Sequence, residues 1–305
     1  MDLFQLETFL TVVREGSFSR AAKKLFRTQP AISQTVRKLE SELGEALFDR
    51  SSRDGLPTDA GRVLQDYAEK LLNLRGEAVD ALRELRQMNR GHLLISGNEI
   101  TCLCLLPVLD DFRRLYPLVR VTVQRAPASH IPNEVLNHNT ELGLVDFNPS
   151  DHALRSIVVF ADELAFVVPP KHPLARAREV GIQQLGAETF IAHNVSSIYR
   201  EKVLQAFRSR KVPLNMEVEL PSIEAIKQFV ARGNGVALLP GLCVAAEVAR
   251  GDLVRIPVPE LRFERRIRAV YRRNCSLSHA ARVFLSVAES YSREHPGGYM
   301  YRPER

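Results

Sequence analysis

Gln29, Ser33, Gln34 and Arg37 lie four, one and three residues apart, so a helix through them carries two amides, a hydroxyl and a guanidinium along one side. These are groups that hydrogen-bond base edges in a major groove. The other side of the segment is apolar, with Ile32, Val36, Leu39 and Leu43 at intervals of four, three and four residues. A helix divided in this way can pack on a core and still present its polar face. Thr28 is a suitable N-cap, and Pro30 suits the first turn, where its missing N–H removes no bond.

The elements that must hold this helix precede it. Leu3, Leu6, Leu10 and Val13 form one stripe of a first helix ending at Gly16. Ser19 is placed to cap a short second helix from Arg20 to Leu25, in which Ala21 and Ala22 permit close approach of a neighbour. Two short helices around a tight turn, the second polar on its outer side, make a helix-turn-helix. Between Arg14 and Lys38 there are seven cations (Arg14, Arg20, Lys23, Lys24, Arg27, Arg37, Lys38) against Glu15, a net +6 suited to phosphate. After Leu47-Phe48, the run Asp49 to Gly55 carries an Asp-Gly turn signal beside Arg50 and Arg53, as in a wing that touches backbone or minor groove. A solvated surface helix with an ordinary loop would account for each feature singly. The agreement of face, caps, charge and wing favours DNA.

The ordered stretches Phe9 to Val13, Gly16-Ser17-Phe18, Ala21-Ala22, Gln29-Pro30-Ala31-Ile32-Ser33, Leu39-Glu40-Ser41-Glu42-Leu43-Gly44, Leu47-Phe48-Asp49-Arg50 and Thr58-Asp59-Ala60-Gly61 resemble the winged helix-turn-helix of LysR-type transcriptional regulators. The likeness extends over essentially the whole chain. Pro57 stands where that family usually has Leu and should stiffen the exit of the wing. The resemblance implies an α+β protein: a winged helix-turn-helix at 1–58, a linker helix at 59–90, a two-lobed α/β effector-binding domain at 91–295 and a tail at 296–305. It also implies sequence-specific binding to double-stranded promoter DNA through Ser17, Arg20, Thr28, Gln29, Pro30, Ser33, Gln34, Arg37, Arg50 and Arg53, modulated by a small-molecule effector. RNA polymerase is a further candidate partner.

Composition sets the outer bounds. A chain of 305 residues, 45% hydrophobic, can bury substantial cores and is too long for one typical domain. Its net charge of +6 favours an anionic partner only modestly, because 36 acidic residues offset 42 basic ones. Cys102, Cys104, Cys243 and Cys275 include no C-x-x-C pair and read as reduced thiols, so neither metal nor cofactor is expected. The first basic residue is Arg14, no signal-type start is present, and no apolar run approaches the roughly 18 residues of a membrane span. A cytoplasmic location is expected. No Gly-x-Ser-x-Gly elbow, Walker loop or His-Glu-x-x-His helix occurs, which disfavours an enzyme. Gly233-x-Gly235 has a helix before it and a strand after it, the reverse of a phosphate-binding turn. The arginines from Arg262 to Arg273 alternate around Phe263 and Ile267 and suit a strand with one solvated face.

From Thr58 to about Arg90 there is no Pro, and Leu64, Tyr67, Leu71, Leu74, Ala78, Ala81 and Leu85 alternate three and four residues apart. Such a seam wants a partner helix or the chain's own domain. The family resemblance, with its antiparallel linker-helix dimer, favours a homodimer, or a homotetramer built from it. Beyond Gly91 strands alternate with helices, which argues for parallel or mixed sheets. The expected strands are His92 to Ser96, Val119 to Val123, Leu142 to Phe147, Leu164 to Val168, Thr189 to Ala192, Met216 to Leu220, Gly235 to Leu239 and Ile267 to Tyr271. The expected helices are Leu105 to Tyr116, Pro132 to His138, Ser196 to Arg210, Ser222 to Arg232 and Ser278 to Arg293. Two lobes, about 91–161 with 266–295 and 162–265, resemble type 2 periplasmic solute-binding proteins with a ligand between them.

Helix N-termini aimed into such a cleft bind anions, which points to a carboxylate-bearing metabolite. The resemblance implicates Asn98, Thr101, His193, Ser196 and Ser197, with Ser129 and Ser222 as secondary candidates. The alternative for each is a cap that bonds only its own helix. Two rival functions remain: a redox response through Cys102 and Cys104, and a metabolite-binding protein without a regulatory role.

Overall fold

The computed structural model describes residues 1–49, 55–86, 91–195, 197–273, 275 and 277–294, without the helix side chains at 80, 81 and 83–86. The chain divides into two compact units, Met1–Met88 with Leu136–Thr140, and Asn89–Val135 with Glu141–Arg305.

In the first unit, α1 (Leu3–Glu15) starts in a capping box between Asp2 and Gln5 and ends at Gly16 in the left-handed region. The next helix, α2 (Phe18–Lys24), is capped by Ser17 rather than Ser19: the helix begins two residues early, and the Ser17 hydroxyl accepts from the Arg20 N–H. Thr28 does precede α3 (Gln29–Leu43), but its side chain makes no cap bond. Leu6, Phe9, Leu10, Ala21, Ile32, Val36 and Leu39 close one core together with Leu47 and Phe48. Leu43 lies past the last core turn and is exposed.

A buried carboxylate turns the chain into the wing, with Glu40 Oε1 accepting from the Leu47 N–H at 2.8 Å. The described ends of the wing meet at an antiparallel bridge, Phe48 opposite Pro57. The ladder bonds there come from Asp49 N–H to Leu56 O and Thr58 N–H to Leu47 O, so the donor that Pro57 lacks is not needed. Thr58 then opens α4 (Asp59–Arg86): its hydroxyl donates to Ala46 O at 2.7 Å and accepts from the Gly61 N–H at 3.0 Å. A Cβ at Gly61 would lie 2.3 Å from Leu47 O, so only glycine fits where helix and wing touch.

Leu64, Ala68 and Leu72 pack α4 onto the winged-helix core, and Arg14 pairs with Glu69 at 3.3 Å. Leu64 therefore faces inward, contrary to its expected place in the seam. Tyr67, Leu71, Leu74 and Ala78 are exposed, as are Val63 and Leu82. The side chains of Ala81 and Leu85 lie outside those described.

The second unit runs β1 (Gly91–Gly97), α5 (Glu99–Leu115), β2 (Val119–Arg125), α6 (Ile131–Leu136), β3 (Leu142–Val145), β4 (Leu154–Val168), β5 (Thr189–His193), α7 (Ile198–Ser209), β6 (Asn215–Leu220), α8 (Ile223–Ala231), β7 (Ala237–Pro240), α9 (Gly241–Arg250), β8 (Val254–Ile256), β9 (Glu264–Arg272) and α10 (His279–Glu294). The main sheet has the order β2-β1-β3-β9-β4-β7, with β8 also on β4, while β5 and β6 form a parallel pair. β4 is antiparallel to β9 from Leu154 to Glu163 and then to β7 from Leu164, so one strand serves both lobes. The first lobe buries Leu93, Ile95, Phe112, Phe160 and Phe284. The second buries Phe166, Phe190 and Phe207 on one side and Ile226, Leu239 and Val244 on the other.

Two expectations in this unit are corrected. The helix expected from Leu105 begins at Glu99 in a capping box of Asn98 and Thr101, and Pro107 sits inside it rather than in its first turn. The strand expected from Leu164 begins ten residues earlier, at Leu154. Helix α9 and strand β8 add two elements beyond the expected ones.

Candidate functional site

On the first unit, Gln29, Pro30, Gln34 and Arg37 are exposed on α3 and Ser33 is half-buried beside them. Gln29 Nε2 donates to Ser33 Oγ at 2.9 Å, which leaves the Gln29 carbonyl to accept and the Ser33 proton to be donated. Arg20 is engaged within the protein: its guanidinium donates to Glu15 O at the end of α1, and Lys24 pairs with the Glu15 carboxylate at 2.5 Å. Ser17 is a helix cap and Thr28 is exposed. Arg50 and Arg53 lie outside the described residues.

On the second unit, two of the serine candidates are caps. Ser197 accepts from the Arg200 N–H on α7, and Ser222 accepts from the Ala225 N–H on α8, both at 3.1 Å. Asn98 and Thr101 bond each other's backbone, and Thr101 is 0% exposed, so it serves its helix and not the cleft surface. Ser129 is exposed on the turn before α6, and Ser196 lies outside the described residues.

The structure adds Glu99, the first residue of α5. Its Oε1 accepts from the Ile223 N–H at 2.9 Å, at the N-terminus of α8 in the other lobe. Its Oε2 lies 3.4 Å from His193 Nε2. His193 Nδ1 accepts from the Val195 N–H, which leaves the ring proton on Nε2, directed at Glu99. Glu99 thus joins His193 to the N-terminus of α8 and fills the position of an anion at that terminus. An acid in a first turn reads from sequence as a dipole complement to its own helix, which concealed this role.

Residues 3–62 match the family model described as the bacterial regulatory helix-turn-helix protein, lysR family, and residues 86–292 match the LysR substrate binding domain. The chain belongs to the LysR family of transcriptional regulators. It is 32% identical over 289 residues to a protein of Cyanophora paradoxa named "Probable RuBisCO transcriptional regulator", covering 92% of this chain and 89% of that one. Full-length CbnR complexed with its target DNA shares the fold at a TM-score of 0.73 and 19% identity, covering 95% of this chain and 99% of that one. The regulatory domain of Synechocystis PCC6803 CcmR in complex with 2-PG aligns at a TM-score of 0.59 and 25% identity, over 66% of this chain and 96% of that one.

In this LysR-family chain the lobes also share a buried charge. Arg265, at the start of β9, is 1% exposed and bonds Asp146 at 3.1 Å and Asp162 at 3.3 Å, with its guanidinium 5.0 Å above the Tyr199 ring. Tyr199 Oη donates to Asp146 O, and Asp162 accepts from the Leu242 N–H at the start of α9. Burial pushes the Asp162 carboxyl up from its ordinary range, against the pull of Arg265.

Beside this network Cys104 neighbours Cys243, where α5 packs on α9. The interaction with Cys243 and burial push the Cys104 thiol well up, and burial pushes Cys102 up as well. A redox sensor requires the thiolate, and these surroundings disfavour it. Among the described residues no group of three His, Cys, Asp or Glu could hold a metal ion, and no helix is long and apolar enough to cross a membrane.

Replacing Arg265 by Met should cost about 3–5 kcal/mol at neutral pH, because two carboxylates are left buried without their cation. The loss should shrink on acidification. The folded pKa of Asp162 lies above its unfolded value near ~3.9, so between the two the native state binds the proton first and this group's contribution to stability grows as pH falls. Urea unfolding of both proteins across that acidic window measures the difference; a loss that widens toward low pH would mean that the carboxylates are not what Arg265 supports.

Proposed function

We propose that this LysR-family chain reads a two-fold promoter site as a homodimer in the cytoplasm, and that a carboxylate-bearing metabolite between the lobes tunes its binding. The observation that carries the DNA half is the face of α3, where exposed Gln29, Gln34 and Arg37 stand over buried Ile32, Val36 and Leu39. Such a helix can lie in a major groove without uncovering its core. Ala at Gln29 or Ser33 should cost roughly 1–3 kcal/mol on a duplex selected with the wild-type protein and much less on an unrelated one. Equal losses in a mobility-shift titration would remove these residues from sequence reading.

Assembly through α4 is supported by its outward apolar stripe, in which Tyr67 is 61% and Leu74 is 48% exposed. Stripes of this size on one helix are normally covered. Leu71→Asp should shift sedimentation toward the monomer and weaken operator binding with it, since two half-sites are engaged together. An unchanged sedimentation coefficient would assign the stripe to another role.

The effector half is supported by the 2-PG complex of the CcmR regulatory domain and by Glu99 at the N-terminus of α8. That terminus already accommodates a carboxylate, and an anionic effector reaching it must displace Glu99. Glu99→Gln keeps an acceptor and removes the competing charge. Calorimetry with 2-PG and with inorganic phosphate should then show binding several-fold tighter than wild type. Equal affinity in both proteins would place anions elsewhere.

A further inference from the structure

The turn between α2 and α3 holds a residue that folding does not explain. Helix α2 ends in a Schellman motif: the Arg27 N–H bonds Ala22 O at 2.9 Å, and the Phe26 N–H bonds Lys23 O at 3.2 Å. The residue after the cap in this motif must be left-handed and is usually Gly or Asn. Here it is Phe26, at φ +53°. A bulky side chain is strained in that region, and no packing offsets the strain, because Phe26 is 93% exposed. The chain therefore spends backbone strain to hold an aromatic ring in solvent.

Its position says what the ring is for. Phe26 lies three residues before Gln29, where the base-reading face begins, and the exposed cations Lys23 and Arg27 flank it. A recognition helix enters the groove by its N-terminal end, so the residues just before it meet the groove's rim. We infer that Phe26 is a DNA-contacting anchor, whose ring packs on apolar carbon of the duplex, deoxyribose or thymine methyl, beside the phosphates that Lys23 and Arg27 approach. Strain at a functional contact is a recognised pattern. The inference rests on α3 facing DNA but on none of the effector reading.

The test uses the full-length protein, a duplex selected from a random library with the wild type, and an unrelated duplex of equal length, titrated over a range of salt. Phe26→Ala keeps the Cβ and its strain but removes the ring. It should weaken binding to the selected duplex roughly tenfold with an unchanged salt slope, because no charge is lost. Equal weakening on both duplexes would assign the contact to deoxyribose, and a larger effect on the selected one to thymine methyl. Phe26→Leu should retain most of the affinity. Phe26→Asn should also bind weakly, yet raise the melting temperature by a few degrees, because Asn tolerates the left-handed turn. Stability and affinity moving in opposite directions is the signature of the anchor. Gln29→Ala, measured in parallel, reports on the α3 face separately. Binding by Phe26→Ala within twofold of wild type on both duplexes would overturn the inference, as would a loss accompanied by an altered sedimentation coefficient, or a Phe26→Asn protein that loses stability along with affinity.

Discussion

A full charge buried where two strands pass between lobes is the constraint on which the second unit depends. Arg265 is 1% exposed at the start of β9, and removing a guanidinium from water is expensive unless its donors are met. The partners come from separate parts of the chain: Asp146 just after β3, Asp162 on β4, and the Tyr199 ring on α7. Satisfying one cation therefore fixes the end of a first-lobe strand, the crossing itself and a second-lobe helix together. The Leu242 N–H on Asp162 adds the start of α9 to the same set. The crossing is a packed joint, and any rearrangement of the lobes has to keep this network satisfied or supply something in its place.

The first unit uses polar side chains in the same way but over shorter distances. Glu40 turns the chain from α3 toward the wing, and Thr58 turns it from the wing into α4. Gly61 permits the contact between them at a distance that no Cβ could tolerate. The linker helix consequently starts at a fixed angle to the recognition helix, with Leu64 and Ala68 in the same core as Ile32 and Val36. Whatever holds α4 also orients the face that carries Gln29 and Ser33.

These two kinds of constraint explain what could be read in the sequence. The helix-turn-helix was legible because its apolar period, its punctuation at Gly16 and Pro30 and its charge are all local. Glu99 was not, because its partner Ile223 is 124 positions away and nothing in a helical first turn announces a contact across a cleft. The terminus of α5 at Asn98 and Thr101 was legible as a polar helix start, whereas the turns before Leu105 were not assigned to the helix, which carries Pro107 in its interior. The first ten residues of β4, Leu154 to Glu163, were not legible because the strand's burial changes character along its length as it passes from one sheet neighbour to the next. The nearness of Cys104 and Cys243 is likewise a product of tertiary packing, which the short spacing of Cys102 and Cys104 does not announce.

Glu99 also bears on how a ligand could act. A ligand shifts an equilibrium only by binding one arrangement better than another. With the carboxylate of Glu99 already at the N-terminus of α8, a ligand carboxylate that merely took its place would exchange one anion for a similar one. On the proposed reading, the difference that reaches the DNA-binding unit must come from the rest of the molecule: the bonds its other groups make, and the loss of the Glu99 contact to His193. Selectivity among acids of equal charge then follows from those other groups, because the charge itself is common to ligand and protein.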